Sequence, residues 1–291
     1  MAPFMRTTAL SFLLASFGCV SLLLAGCSSD DSTGDGTETP AAVPTTNGTA
    51  LPTPDQPAPV VTRPTPQPGA DNPGPKPAGC TVTKDTDGFF TRTTAKSPYV
   101  GFVPKSYTGQ PTTLVVGIHG CGDSAKNFAT WGVNPGKTID TQDHIGISIG
   151  GREGQCWDLN ADSDKVTAAI ADISTCFYVH QQKIVLAGYS SGGMLAYKLG
   201  LTSKTKYAGI IIENSSIGNA SPAGAAWKLN VAHIAHTGDD NFPIGGVRSD
   251  WAKLEAAGIP LQKSEVGGGH DGTSDDWSDF LIPKIAKWKA P

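Results

Sequence analysis

Residues 80–291 are predicted to form an α/β fold, a mostly parallel sheet with helices on both faces. Three observations predict it. Residues 114–118 (Leu-Val-Val-Gly-Ile) and 145–149 are continuous apolar runs, of the length and composition of strands buried on both faces. Residues 162–178 place Val166, Ala169, Ile170, Ile173 and Phe177 at i, i+3 and i+4 spacings, the stripe of an amphipathic helix. Strand-like and helix-like stretches then alternate along the chain, as in βαβ units.

In order, strands are expected at 114–118, 145–149, 183–187, 207–212 and 231–235, with a strand-like stretch at 261–266. Helices are expected at 162–178, 192–201, 247–257 and 274–288. Right-handed crossovers in such a sheet place active groups at the carboxyl ends of the strands. No internal repeat is present, and 212 residues suffice for one core.

The segment before this domain has a different character. Arg6 precedes an apolar stretch of about 17 residues, at the short limit for a membrane-spanning helix, which ends in Leu24-Ala25-Gly26-Cys27. A charged start, an apolar middle and a small-residue exit read as a secretory signal. The ending resembles the lipobox of bacterial lipoproteins, which implies that Cys27 becomes the lipidated first residue of the mature chain. Ser28 and Ser29 follow in place of an aspartate, and the resemblance then implies sorting to an outer membrane or cell surface.

Residues 28–79 hold twelve of the 22 prolines and almost no large apolar residue. Such a segment cannot bury enough surface to offset its ordering entropy, so a disordered, extended linker is expected there. The organisation expected is a lipoprotein signal at 1–27, a linker at 28–79 and a domain at 80–291. Linker and signal removed, 19 basic and 20 acidic residues remain, without long runs of either sign. That balance provides no electrostatic footprint for nucleic acid, and a monomer is expected.

The strongest chemical signal is Gly188-Tyr189-Ser190-Ser191-Gly192. G-x-S-x-G alone is modest evidence. Here it directly follows the apolar run Ile184-Val185-Leu186-Ala187 and precedes a helix-compatible stretch, the strand-turn-helix setting the motif requires. Its glycines permit a tight turn that exposes Ser190 as a nucleophile, and the following helix N-terminus favours developing negative charge.

A serine nucleophile needs a base. His270, in Gly267-Gly268-Gly269-His270-Asp271-Gly272, lies among glycines on an accessible loop and is the best candidate, with His236 its main rival. His144 and His180 read as surface residues and His233 as a core group. The base needs an acid, and Asp239 or Asp240 lies just past the strand at 231–235. The order Ser, Asp, His is that of α/β-hydrolases. The oxyanion hole is expected from the amides of Ser191 and of Cys121, the latter in the turn His119-Gly120-Cys121-Gly122-Asp123, where His119 would brace the loop.

Cys80, Cys121, Cys156 and Cys176 remain outside the signal, an even number that suggests disulfides in an exported domain. Three pairings are open. Cys121–Cys156 and Cys80–Cys176 are favoured: the first would staple the oxyanion loop to the loop holding Trp157, the second the domain's start to a helix. No C-x-x-C spacing points to zinc, and no metal is expected.

Taken together, L-V-V-G-I-H-G-C-G, Q-C-W-D, G-Y-S-S-G-G-M, T-G-D-D-N-F-P and G-G-G-H resemble the secreted polyhydroxybutyrate depolymerase and feruloyl esterase group, which overlaps carbohydrate esterase family one. The stretch from Tyr99 to Tyr107 is also similar to that group's first strand. The likeness covers about residues 80–291. It implies an α/β-hydrolase fold without a large cap domain, no cofactor, and a serine carboxylic-ester hydrolase that forms an acyl-enzyme. It maps the acid of a D-x-x-V-P pattern onto Asp239 in preference to Asp240, the base onto His270 and the H-G-C amide onto Cys121.

Two departures are Phe242 in place of the usual valine before Pro243, and the absence of the group's proline around residues 149–152. Trp157 is either an aromatic platform for substrate or core packing beside Cys156. The expected substrate is a small-molecule or polymer-linked ester outside the cell: feruloyl, acetyl or hydroxyalkanoate. No separate polymer-binding domain is read in the sequence, which weakens the case for crystalline polyester. A catalytically silent surface lipoprotein with a binding role is the alternative, and a filled triad argues against it.

Overall fold

The computed structural model describes residues 70–136, 139–151 and 154–291, all within the unit Val61–Pro291. The signal, Cys27 and most of the linker lie outside the described residues.

Eight strands form one sheet: β1 (Phe90–Thr93), β2 (Pro98–Phe102), β3 (Thr112–Ile118), β4 (Ile145–Ile149), β5 (Val179–Tyr189), β6 (Gly209–Glu213), β7 (Asn230–His236) and β8 (Leu261–Val266). Their order is β1-β2-β4-β3-β5-β6-β7-β8. β1 and β2 pair antiparallel, as do β2 and β4, and every other pair is parallel. β1 escaped the sequence reading because Phe-Thr-Arg-Thr buries only its first residue. β8, at the other edge, exposes Gln262, Lys263 and Glu265, the charged surface that discourages edge-to-edge association.

The apolar runs follow from burial on both faces. Consecutive side chains of a strand point to opposite sides of the sheet. Val116, Leu186, Ile210 and Val231 pack in one cluster with Val166, Ile173, Leu195 and Trp251. Their neighbours Val115, Val185, Ile211 and Ala232 pack in another with Phe128, Trp277, Leu281 and Trp288. Each fully buried large aliphatic side chain contributes roughly 1.5–3 kcal/mol.

The first cluster includes residues of α2 (Ser163–Cys176), α3 (Ser191–Thr202) and α4 (Ile244–Ala256), close to three of the four predicted helices. The fourth differs. Residues 274–288 form a wide π-helical stretch at Asp276–Leu281, one α turn at Ile282–Lys284 and a 3₁₀ turn at Ile285–Lys287. Pro283 has no amide hydrogen to continue an α ladder. A short helix α1 (Ala125–Phe128), extended by a π turn at Ala129–Val133, was not legible in sequence.

Residues 70–79, the end of the stretch read as linker, bond to β5. Gln181 N donates to Pro73 O at 3.1 Å, Asn72 N to Gln182 Oε1 at 2.8 Å and Tyr178 Oη to Gly74 O at 2.9 Å. Two histidines read as surface residues are buried. His180 meets Asp71 at 3.2 Å under that same segment, and His144 Nε2 meets Val133 O at 3.1 Å. The partner of His180 lies 109 positions away in sequence, and that of His144 lies 11 positions back.

The sheet positions the site through one feature. β4 lies on one side of β3 and β5 on the other, so the chain reverses its progress across the sheet between β3 and β5. The crevice beyond the strand ends at such a switch point is where open α/β sheets bind ligands. The pairing of Ile118 with Gly188 brings the loop after β3 beside the turn after β5.

Candidate active site

Ser190 joins β5 to α3 with φ 54° and ψ −124°. A non-glycine residue in that region costs roughly 1–3 kcal/mol and persists only where its surroundings enforce it. They do. Ser190 N donates to Glu213 O at 3.2 Å, and Ser190 O accepts from Gly193 N at 2.9 Å and Ser215 Oγ at 2.7 Å. A Cβ at Gly192 would lie 1.9 Å from Ile118 O, so the second motif glycine is required by the approach of α3 to β3. The turn thus presents Ser190 at the carboxyl edge of the sheet, at the N-terminus of α3.

His270 and Asp239 reach it from the loops after β8 and β7. His270 Nε2 lies 3.0 Å from Ser190 Oγ, and Nδ1 lies 2.9 Å from Asp239 Oδ2. A carboxylate only accepts, so the hydrogen sits on Nδ1 and the Nε2 lone pair faces the serine hydroxyl. Asp239 is 4% exposed, and its Oδ1 accepts from Asn241 N at 2.8 Å and Phe242 N at 2.9 Å. Asp240 is exposed. His236, the rival base, turns away from the serine: its Nε2 lies 2.8 Å from Asp276 Oδ2. His233 is fully buried, and its Nδ1 accepts from Tyr197 Oη and Trp251 Nε1, each at 2.9 Å.

The turn at 119–123, where an oxyanion amide is expected, lies against Ser190. A Cβ at Gly120 would sit 3.3 Å from Ser190 Cβ, and Cys121 and Ser191 border the same cavity. Ser191 is the first residue of α3, where the amide has no intrahelical partner. His119 is 1% exposed, with Nδ1 2.8 Å from Gly120 O, and burial holds its pKa below the ordinary 6.5. Trp157 Nε1 donates to His119 O at 2.7 Å. Trp157 is 6% exposed, so it packs the loop from behind with one edge on the cavity and is no open platform.

Disulfides join Cys121 to Cys156 and Cys80 to Cys176. The first forms part of the cavity wall.

The cavity above Ser190 has a volume of about 620 Å³ and is walled by Leu159, Met194, Phe242, Trp157 and the disulfide. Among the described residues, no Lys, Arg, Asp or Glu side chain lines it. Two flanking rings were missed by sequence reasoning. Tyr189 stacks on His270 at 5.4 Å between ring centres, and Phe242 tilts against it at 5.6 Å. The Tyr189 hydroxyl also donates to His270 O, and burial pushes its pKa up to about 12. For Phe242 the signal was present, as the residue standing where valine was expected.

Among the described residues, one group has metal-ligand chemistry: Glu213, His236 and Asp276, with one ligand atom of each within 4.8 Å of the others. Protein donors and acceptors already engage it. Glu213 accepts from Thr273 N at 2.9 Å and Trp277 Nε1 at 2.5 Å, and His236 Nδ1 bonds Gly269 O at 2.8 Å.

Solved structures share this architecture. A ferulic acid esterase matches with a TM-score of 0.53 and 15% identity over 63% of this chain and 90% of its own. Esterase 2 of the planctomycete Thermogutta terrifontis matches with a TM-score of 0.53 and 16% identity over 64% and 86%. The carboxylesterase of Bacillus cereus matches with a TM-score of 0.51 and 15% identity over 66% and 95%. The chain therefore has the α/β-hydrolase fold.

A family model described as phospholipase/carboxylesterase matches residues 160–241, which span α2, Ser190 and Asp239. None of the curated proteins compared matches the chain.

Proposed function

We propose that the protein is a serine carboxylic-ester hydrolase. The hydrogen-bonded line from Ser190 through His270 to Asp239, opening on an apolar cavity, carries the reading. Ser190 Oγ attacks the ester carbonyl carbon as its proton passes to His270 Nε2. Asp239 holds the imidazole in the required tautomer and supports its charge. The amides of Cys121 and Ser191 receive the developing oxyanion. Collapse breaks the bond to the alcohol oxygen, which takes the proton from Nε2. Water, activated by the same nitrogen, then releases the acid and restores the serine.

The family match and the esterase neighbours support ester hydrolysis. The described lining is mostly apolar, with Trp157, Leu159, Met194 and Phe242 around Ser190, which favours an ester with an apolar group beside the carbonyl. Within that class, the resemblance to polyhydroxybutyrate depolymerases and feruloyl esterases selects feruloyl, acetyl or hydroxybutyrate esters. We further read the protein as lipidated at Cys27 and displayed outside the cytoplasm as a monomer. Metabolic palmitate labelling that persists in Cys27→Ala would contradict the anchor.

A hydrolysis panel of methyl ferulate, acetylated xylan, hydroxybutyrate oligomers and p-nitrophenyl esters of graded length tests the activity. Wild type is expected to cleave at least one of them and Ser190→Ala none, with its circular dichroism unchanged. An inert wild type that also resists fluorophosphonate labelling would bring forward the non-catalytic binding role.

A further inference from the structure

We propose that Glu213, His236 and Asp276, together with Asn214, form a buried clamp that positions His270 by holding the backbone of its loop. The inference rests on the reading of Ser190, His270 and Asp239 as the reacting groups. The four residues touch no substrate, so they are positioning residues.

The loop cannot hold its own shape. Three glycines precede His270 and one follows Asp271, and glycine restricts the backbone least. Yet four consecutive carbonyls are each held by a different donor. Gly268 O accepts from Gly238 N at 2.8 Å and Gly269 O from His236 Nδ1 at 2.8 Å. His270 O accepts from Tyr189 Oη, and Asp271 O from Asn214 Nδ2 at 3.4 Å. Beyond them, the Thr273 amide donates to Glu213 Oε1 at 2.9 Å. Most of these anchors are side chains at the carboxyl ends of β5, β6 and β7.

Asn214 adopts φ 46°, a left-handed conformation that asparagine tolerates, and its Oδ1 also accepts from His236 N at 2.9 Å. It thereby joins the end of β7 to the loop after β8. The loop glycines match the clamp. A Cβ at Gly268 would lie 2.9 Å from His236 Nδ1, and one at Gly272 would lie 3.0 Å from Glu213 Oε2.

The protons of the cluster can be assigned by elimination. Gly269 O only accepts, so His236 Nδ1 carries hydrogen. Nε2 lies 2.8 Å from Asp276 Oδ2, a bond that needs a second proton between them. Glu213 and Asp276 are also bonded to each other, and two carboxyl groups bond only if one is protonated. Burial and the Asp276 carboxylate put that proton on Glu213, whose pKa is pushed up to about 9. Burial acts to raise Asp276 also, but its bonds with Glu213, His236 and Thr273 hold it below its ordinary value. Trp277 and Thr273 donate to Glu213, and Tyr189 is the other titratable group whose charge couples to it.

A largely buried polar cluster is costly unless every group is paired, and an apolar trio would pack the same space without that cost. What this cluster adds is a set of fixed donors and acceptors facing the loop of His270.

Steady-state hydrolysis of p-nitrophenyl butyrate by the full chain, alongside thermal melts, tests the proposal. Glu213→Ala and His236→Ala are expected to lower kcat roughly ten- to hundredfold, with KM within about twofold, at temperatures where they remain folded. Glu213→Gln, which keeps an acceptor and a donor, is expected to recover part of the loss. It is also expected to lack a fall of kcat that wild type shows as pH passes about 9.

If Glu213→Ala does not fold, Asn214→Ala removes a loop anchor, leaves the acid–imidazole cluster in place and carries the same kcat criterion. Variants that melt earlier but keep wild-type kcat would overturn the proposal, because the cluster would then serve stability alone. A stoichiometric divalent cation in protein purified without chelator would overturn it too, by making the three groups ligands. Wild type without hydrolysis or fluorophosphonate labelling sinks the esterase reading and the clamp together. Active wild type with fully active variants sinks the clamp alone.

Discussion

Asp239 and Asp240 are adjacent and chemically alike, and only their surroundings separate them. Asp239 is buried, anchored by two backbone amides and aimed at His270, while Asp240 faces solvent. Asp239→Asn is expected to reduce kcat on the order of 10³- to 10⁴-fold, since an amide donor facing Nδ1 favours the wrong tautomer. Asp240→Asn should stay within about twofold, because an exposed charge away from the reacting atoms is worth little. Ester hydrolysis assays of the two variants, side by side, check the assignment. Local pattern brings both aspartates to the right loop, the family resemblance favours Asp239, and the Asx turn at 239–242 is what faces it inward. His270 is favoured over His236 by its glycine loop, and the structure gives the reason: His236 ends β7 and its Nε2 faces Asp276, away from Ser190.

At the scale of elements, the strand–turn–helix around Ser190 was fully legible, because one apolar run, two glycines and a helical stretch must coincide for it to form. The loops were not. The two disulfides make different predictions there. Chain-entropy reasoning gives about 5 kcal/mol for Cys80–Cys176, closing 96 residues, and about 4 kcal/mol for Cys121–Cys156, closing 35, as upper figures. The first lies away from the cavity, so Cys80→Ser with Cys176→Ser is expected to lower the melting temperature and spare kcat. The second lines the cavity and, on the proposed mechanism, fixes an oxyanion amide, so Cys121→Ser with Cys156→Ser is expected to lower kcat as well, by roughly tenfold or more. Melting curves and ester kinetics on both double variants separate the cases. Loss of kcat in the first pair alone would reverse the assignment.

For the whole molecule, two buried groups set opposing pH limits on stability. Burial lowers His233 from 6.5 to about 3. The unfolded chain then binds the extra proton between those values, and stability falls as pH drops from 6.5 to about 3. Burial first, and then Asp276, raises Glu213 from 4.5 to about 9. Here the folded chain binds the extra proton, and stability falls as pH rises from 4.5 to about 9. These two slopes oppose each other between 4.5 and 6.5, where buried His119, also held below 6.5, adds a rise. Melting temperature is therefore expected to rise up to about pH 6.5, less steeply above 4.5, and to decline beyond it, with the decline reduced in Glu213→Gln. A wild-type profile that climbs steadily from pH 6.5 to 9 would contradict this.

By itself the sequence determined the α/β alternation, the strand–turn–helix that presents Ser190, and the order in which a serine, an aspartate and a histidine follow the strand ends. Each of these is written in local residue patterns: period, glycine placement, and spacing from a strand end. Tertiary structure shows how the favoured Asp239 and His270 meet Ser190 while Asp240 and His236 turn elsewhere. It also decided that Trp157 packs behind the oxyanion loop and that residues 70–79 belong against β5. Those outcomes depend on groups 31 to 110 positions apart in the chain, such as His270 with Asp239 and Asn72 with Gln182. Five residues were enough to single out Ser190 and its turn. The glycine loop that brings it a base is held by β5, β6 and β7, and only the folded sheet sets those strand ends side by side.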